Sequence, residues 1–203
     1  LISFYDVTAI EDRGDDKSFD RRYSNACNVL DLLFSEKLLL RHCGELQKLA
    51  ITDVSLTKYA HLPEPMEQLG VHTNSEYNFS ALSSLDLRGW QYLISLPEHI
   101  FSSMNRLRAL TLSKCIALEK LPDSIRYLRE LTHLSLNNCK KLKELPRSIS
   151  QIGLGGCKRL AYIDLNGCLV LTFEQGFDLD ALTELTHLYL AKCPAIEALP
   201  LHN

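Results

Sequence analysis

The stretch Leu107-Arg-Ala-Leu110-Thr-Leu112-Ser-Lys-Cys115-Ile-Ala-Leu118-Glu-Lys-Leu121-Pro122-Asp-Ser-Ile125-Arg-Tyr-Leu128 is followed, 24 residues on, by Leu131-Thr-His-Leu134-Ser-Leu136-Asn-Asn-Cys139-Lys-Lys-Leu142-Lys-Glu-Leu145-Pro146-Arg-Ser-Ile149. Every apolar anchor superposes. The same frame fits Leu82, Leu85, Leu87, Trp90, Leu93, Leu96, Pro97 and Ile100 upstream, and Leu160, Ile163, Leu165, Cys168 and Leu171 downstream. A last copy runs through Leu185, Leu188, Leu190, Cys193, Ile196, Leu199 and Pro200.

The spacing has a mechanical meaning. Two leucines separated by one residue face the same side of a strand, so both point inward while their neighbours point out. The later Leu, Leu-Pro and Ile positions turn the chain back, because proline fixes its own φ and stops a strand from continuing. One such unit cannot bury its own apolar face, so stability requires stacking of successive units. The frame is similar to the leucine-rich-repeat consensus L-x-x-L-x-L-x-x-N/C-x-L. The expected fold is α/β: a solenoid with a curved parallel sheet on the concave face and short helices or turns on the convex face.

The rhythm is broken in two places. Cys139 to Cys168 is 29 residues, with the excess near Ile152-Gly-Leu-Gly-Gly-Cys157-Lys-Arg-Leu160. This predicts an enlarged convex segment; the other reading is a truncated repeat of its own. Upstream, Leu46, Leu49, Ile51, Val54, Leu62-Pro63, Met66 and Leu69 form an earlier, looser repeat, followed by a polar insertion over about Val71 to Ser80. The expected organisation is an irregular N-terminal segment or cap over residues 1–44, then repeats over 45–203 that are regular from about 82.

Lys and Arg number 22 against 25 acidic residues, a net charge of -3, which gives no general reason to expect nucleic acid or an anionic membrane as partner. The charge is uneven, however. Residues 106 to 160 hold twelve basic and four acidic side chains, and the flanking regions are acidic. No run of 18 apolar residues occurs, so no membrane-inserted helix is expected.

Four of the seven cysteines, Cys115, Cys139, Cys168 and Cys193, occupy the Asn/Cys position of the frame. A thiol there is a small, mostly apolar group able to donate weakly to a backbone carbonyl. Zinc needs four ligands converging on a point, whereas these form a line along the array, so no metal is expected. Many unpaired thiols favour a reducing, cytoplasmic setting. No phosphate-binding loop, G-x-S-x-G or H-E-x-x-H occurs, so neither enzymatic activity nor a cofactor is expected.

The outward strand positions form the expected protein-binding face: Asp86, Arg88, Thr111, Ser113, Ser135, Asn137, Asp164, Asn166 and Tyr189, with His133, Tyr162 and His187 in a column beside them. Adjacent strands lie about 4.8 Å apart, which puts the two imidazoles roughly twice that distance apart, too far to share one metal ion. Aromatic groups in such a column suit an interface hot spot instead. The alternative surface is a basic flank of Lys140, Lys141, Lys143 and Arg147, which would suit a scaffold subunit bridging components of a large assembly.

The form Leu-Pro-x-Ser-Ile, then Leu-x-x-Leu-x-x-Leu-x-Leu-x-x-Cys, across Leu121 to Cys139 and begun again at Leu145 to Ile149, resembles the repeats of plant intracellular nucleotide-binding resistance proteins. The resemblance covers about Leu82 to Pro200. It implies a module that recognises proteins, or that contacts other domains of a longer parent chain.

Overall fold

The computed structural model describes residues 47–52, 61–62, 80–151 and 156–201. The expected cap over residues 1–44, most of the polar insertion and residues 152–155 lie outside them.

Among the described residues six short strands form one parallel sheet: β1 (Lys48–Ala50), β2 (Ser84–Asp86), β3 (Ala109–Thr111), β4 (His133–Ser135), β6 (Tyr162–Asp164) and β8 (His187–Tyr189). They pair in chain order, with Leu49, Leu85, Leu110, Leu134, Ile163 and Leu188 in register. These side chains point inward. From Leu85 to Ile163 they are fully buried, and Leu49 and Leu188 at the two ends are half-buried. Burial of each such side chain stabilises the fold by about 1.5–3 kcal/mol. The fold is therefore the expected solenoid with a parallel sheet.

The step from β4 to β6 resolves the 29-residue interval. Because His133 pairs directly with Tyr162, the interval is one enlarged repeat, and no strand intervenes between β4 and β6 in this sheet. Its extra length is absorbed between Ile149 and Leu160. There Cys157 occupies the place that Leu128 holds one repeat earlier: the Leu131 amide bonds to the Leu128 carbonyl at 3.1 Å, and the Leu160 amide to that of Cys157 at 2.9 Å.

After β2, β3, β4, β6 and β8 the chain makes the same left-handed turn. Gly89, Lys114, Asn138, Gly167 and Lys192 all have φ between 60° and 76°, and each precedes the Trp90 or Cys of its repeat. The turn lets the next amides reach the neighbouring repeat, as when Lys114 N–H bonds to the Asn137 carbonyl at 2.7 Å.

The return segments carry the expected short helices. Pro122 and Pro146, both extended, lead into 3-10 helices at Asp123–Tyr127 and Arg147–Ile149, which bury Ile125 and Ile149. A second parallel ladder, not anticipated from the sequence, precedes them. β5 (Glu144–Leu145) pairs with β7 (Thr172–Phe173), and Ser95 bridges Lys120 in the same way between the repeats of β2 and β3. It arises because Leu142 to Pro146 and its equivalents run extended between two buried anchors, so adjacent repeats place their amides and carbonyls side by side.

Candidate protein-binding face

Strand register builds the face in columns. The first carries Lys48, Ser84, Ala109, His133, Tyr162 and His187; the second carries Ala50, Asp86, Thr111, Ser135, Asp164 and Tyr189. Toward β8 these columns become aromatic. The ring of Tyr162 lies 5.5 Å from His133, 6.1 Å from His187 and 5.3 Å from Tyr189, and His187 stacks on Tyr189 at 6.2 Å. The two imidazoles are thus separated by a tyrosine, as the column reading requires. The four rings form one contiguous platform, with Tyr189 41 % exposed.

The preceding threonines orient both imidazoles. Thr132 Oγ1 donates to the Arg108 carbonyl at 2.9 Å and lies 2.8 Å from His133 Nδ1; Thr186 Oγ1 donates to the Ala161 carbonyl at 3.0 Å and lies 2.9 Å from His187 Nδ1. With each hydroxyl proton committed to a carbonyl, the oxygen is placed to accept from Nδ1–H, and in the neutral imidazole Nε2 is then the acceptor. Tyr162 supplies the complementary function. Partial burial, with Asp164 and Tyr189 nearby, raises its pKa, so the phenol remains a donor. Sequence reasoning missed the threonines, although the repeated Thr-His pair signals them.

Beside the platform the polar positions hold one another. Ser113 Oγ lies 2.8 Å from Ser135 Oγ, and Asn137 Nδ2 donates to Ser135 Oγ at 3.2 Å and to Asp164 Oδ2 at 2.9 Å. Asp164 also accepts from the Asn166 amide, and Asn166 Oδ1 accepts from the Ala191 amide at 2.7 Å. Asp86 is in ion-pair contact with Arg88. Ser113 departs from the expected display: it is only 8 % exposed, with its hydroxyl against that of Ser135. Thr111, by contrast, is half-exposed on its strand.

The basic flank is partly neutralised across repeats. Lys143 Nζ lies 2.6 Å from Glu119, which holds that carboxyl below its ordinary pKa, and Arg147 lies 3.9 Å from Glu174. Lys120 pairs in the same way with Glu98. Lys140 and Lys141 stand exposed beside these pairs.

The cysteine column is built as the spacing predicts. Cys115, Cys139, Cys168 and Cys193 donate to the carbonyls of Leu87, Leu112, Leu136 and Leu165 at 3.0–3.2 Å, in each case the residue just after the preceding strand. Trp90 does the same work where its repeat lacks the cysteine, its indole N–H reaching the Ile51 carbonyl at 2.6 Å. Burial pushes the thiols of Cys115, Cys157 and Cys168 up to about 12. Cys139 is raised as well, by burial first and then by its neighbours Cys115 and Cys168. Among the described residues no group of three or more His, Cys, Asp or Glu is placed to hold a metal ion, and no helix is long and apolar enough to cross a membrane.

No family model matches the chain. It is similar to three Arabidopsis thaliana proteins: a putative disease resistance protein, 31 % identical over 46 % of this chain; disease resistance protein RML1A, 30 % over 59 %; and disease resistance protein RPS6, 33 % over 55 %. The chain spans only 7 %, 11 % and 10 % of their respective lengths. With strand register, cysteine column and relatives in agreement, this is a leucine-rich-repeat solenoid whose repeats are similar to those of plant disease resistance proteins.

Proposed function

We propose that the chain is a non-enzymatic recognition module that binds a protein on its concave sheet, as the sensor region of an intracellular immune receptor acting in the cytoplasm. The observation that carries this reading is the platform of His133, Tyr162, His187 and Tyr189, four contiguous rings on a rigid sheet. Aromatic groups that present both an apolar body and a polar tip are favoured as interface anchors. The likeness to disease resistance proteins supports the receptor context, in which the partner is a foreign protein or another domain of the parent chain.

The test compares proteins retained by the wild type, by a Tyr162→Ala/Tyr189→Ala variant and by a Lys140→Glu/Lys141→Glu variant. The expected outcome is a loss of roughly tenfold or more in affinity for the tyrosine variant, with the circular dichroism unchanged and the lysine variant unaffected. Loss confined to the lysine variant would instead place the partner on the flank, as for a bridging scaffold. Charge reversal at Asp164 is a poorer probe, because it also breaks the bond to Asn137.

A further inference from the structure

The basic block of residues 106 to 160 divides in the folded chain. Lys120, Lys143 and Arg147 lie on the flank after the strands and are paired with Glu98, Glu119 and Glu174. A second group lies where the chain enters the strands. There a cavity of about 850 Å³ spans the approaches to β1, β2, β3 and β4, and Arg106, Arg108 and Arg129 line it.

Its other lining is polar, with Ser83, Ser102 and Asn105 among the hydrogen-bonding groups. The one carboxylate there, Glu130, is already in ion-pair contact with Arg159. Neither Arg106 nor Arg108 has a carboxylate partner among the described residues. At the rim, Arg126 donates to the Tyr127 hydroxyl at 3.0 Å and lies 4.9 Å from its ring centroid, adding a further cation. Among the described residues the charge balance of the cavity is therefore positive, and Ala81 is its only apolar aliphatic lining residue.

We infer that this cavity binds a small, multiply charged oxyanion. Guanidinium groups offer planar forks of donors matched to phosphate and carboxylate oxygens, and they stay charged at any physiological pH. Arg106 and Arg108, held on a rigid parallel array, present those forks without a folding cost at binding. The volume lies in the range of ordinary small-molecule sites and exceeds what one simple inorganic anion needs. The site is separate from the aromatic platform and does not depend on it.

The experiment is calorimetric titration of the 203-residue chain at low ionic strength with tripolyphosphate and, in parallel, with citrate. Binding of either supports the site, and the tighter of the two identifies phosphate or carboxylate as its chemistry. Arg106→Gln with Arg108→Gln is expected to weaken binding by about tenfold or more, and Lys140→Gln with Lys141→Gln to leave it unchanged. Glu130→Gln removes the competing carboxylate and is expected to tighten binding several-fold, a gain that unfolding could not produce. No binding of either anion, equal loss in the two flank variants, or no gain with Glu130→Gln would overturn the inference.

Discussion

At the scale of single residues the chain is organised by small donors aimed at the carbonyls just after the strands. A thiol serves in four repeats and an indole in a fifth, each reaching the residue just after the preceding strand. A hydrogen bond of this kind contributes about 0.5–1.5 kcal/mol net, and the column ties each repeat to the one before it. The same thiols couple stability to alkaline pH. Their ordinary pKa is 9.0, and in the folded chain Cys115, Cys157 and Cys168 hold their protons to about 12. Between those values the unfolded chain sheds protons that the folded chain keeps, so stability is fully present below the lower value and falls as pH rises above it. Each thiol contributes a slope of about 1.4 kcal/mol per pH unit. Urea midpoints measured across that range should be flat up to the lower value and then fall steeply; a level profile to the upper value would contradict the burial of the thiols.

At the scale of elements, the left-handed turn that follows β2, β3, β4, β6 and β8 is the feature sequence reading could not reach. Glycine marks it at Gly89 and Gly167, but Lys114 and Lys192 adopt the same conformation and carry no such signal. The leucine frame was legible because burial alone dictates it, and the column of His133, Tyr162 and His187 because strand pairing transmits register. The second ladder was not, since its residues pair through main-chain atoms, whatever their side chains. Two glycines separate the kinds of constraint at turns. At Gly167, with φ +76°, an added Cβ would lie 2.7 Å from the end of the Asn138 side chain, which can move; at Gly156, with φ +91°, it would lie 2.5 Å from the Gln151 carbonyl oxygen, which cannot. Gly167→Ala should therefore cost about 1 kcal/mol, and Gly156→Ala about 2–3 kcal/mol, in chemical denaturation. Equal losses would show that the enlarged repeat gives way locally.

At the scale of the whole molecule, stability rests on stacking and is graded along the axis. Leu134 is fully enclosed between neighbouring repeats, whereas Leu188 in β8 is only half-buried. Leu134→Ala is expected to cost about 3–4 kcal/mol and Leu188→Ala about half of that, by denaturant titration. A similar loss at both positions would mean that the last strand is as enclosed as the middle of the array. The charge block belongs to this scale too. Twelve cations within 55 residues read as one basic surface in the sequence, yet the repeat sends them to opposite flanks, and only the fold shows which are neutralised.

The indole that stands in for a cysteine has a spectroscopic consequence. Trp90 is the chain's single tryptophan, fully buried, and its N–H is fastened to the strand before it. Its fluorescence therefore senses the seam between the first two strands of the sheet, whereas circular dichroism averages over every repeat. Disagreement between the two signals during unfolding would be a direct reading of whether that end of the array detaches before the rest.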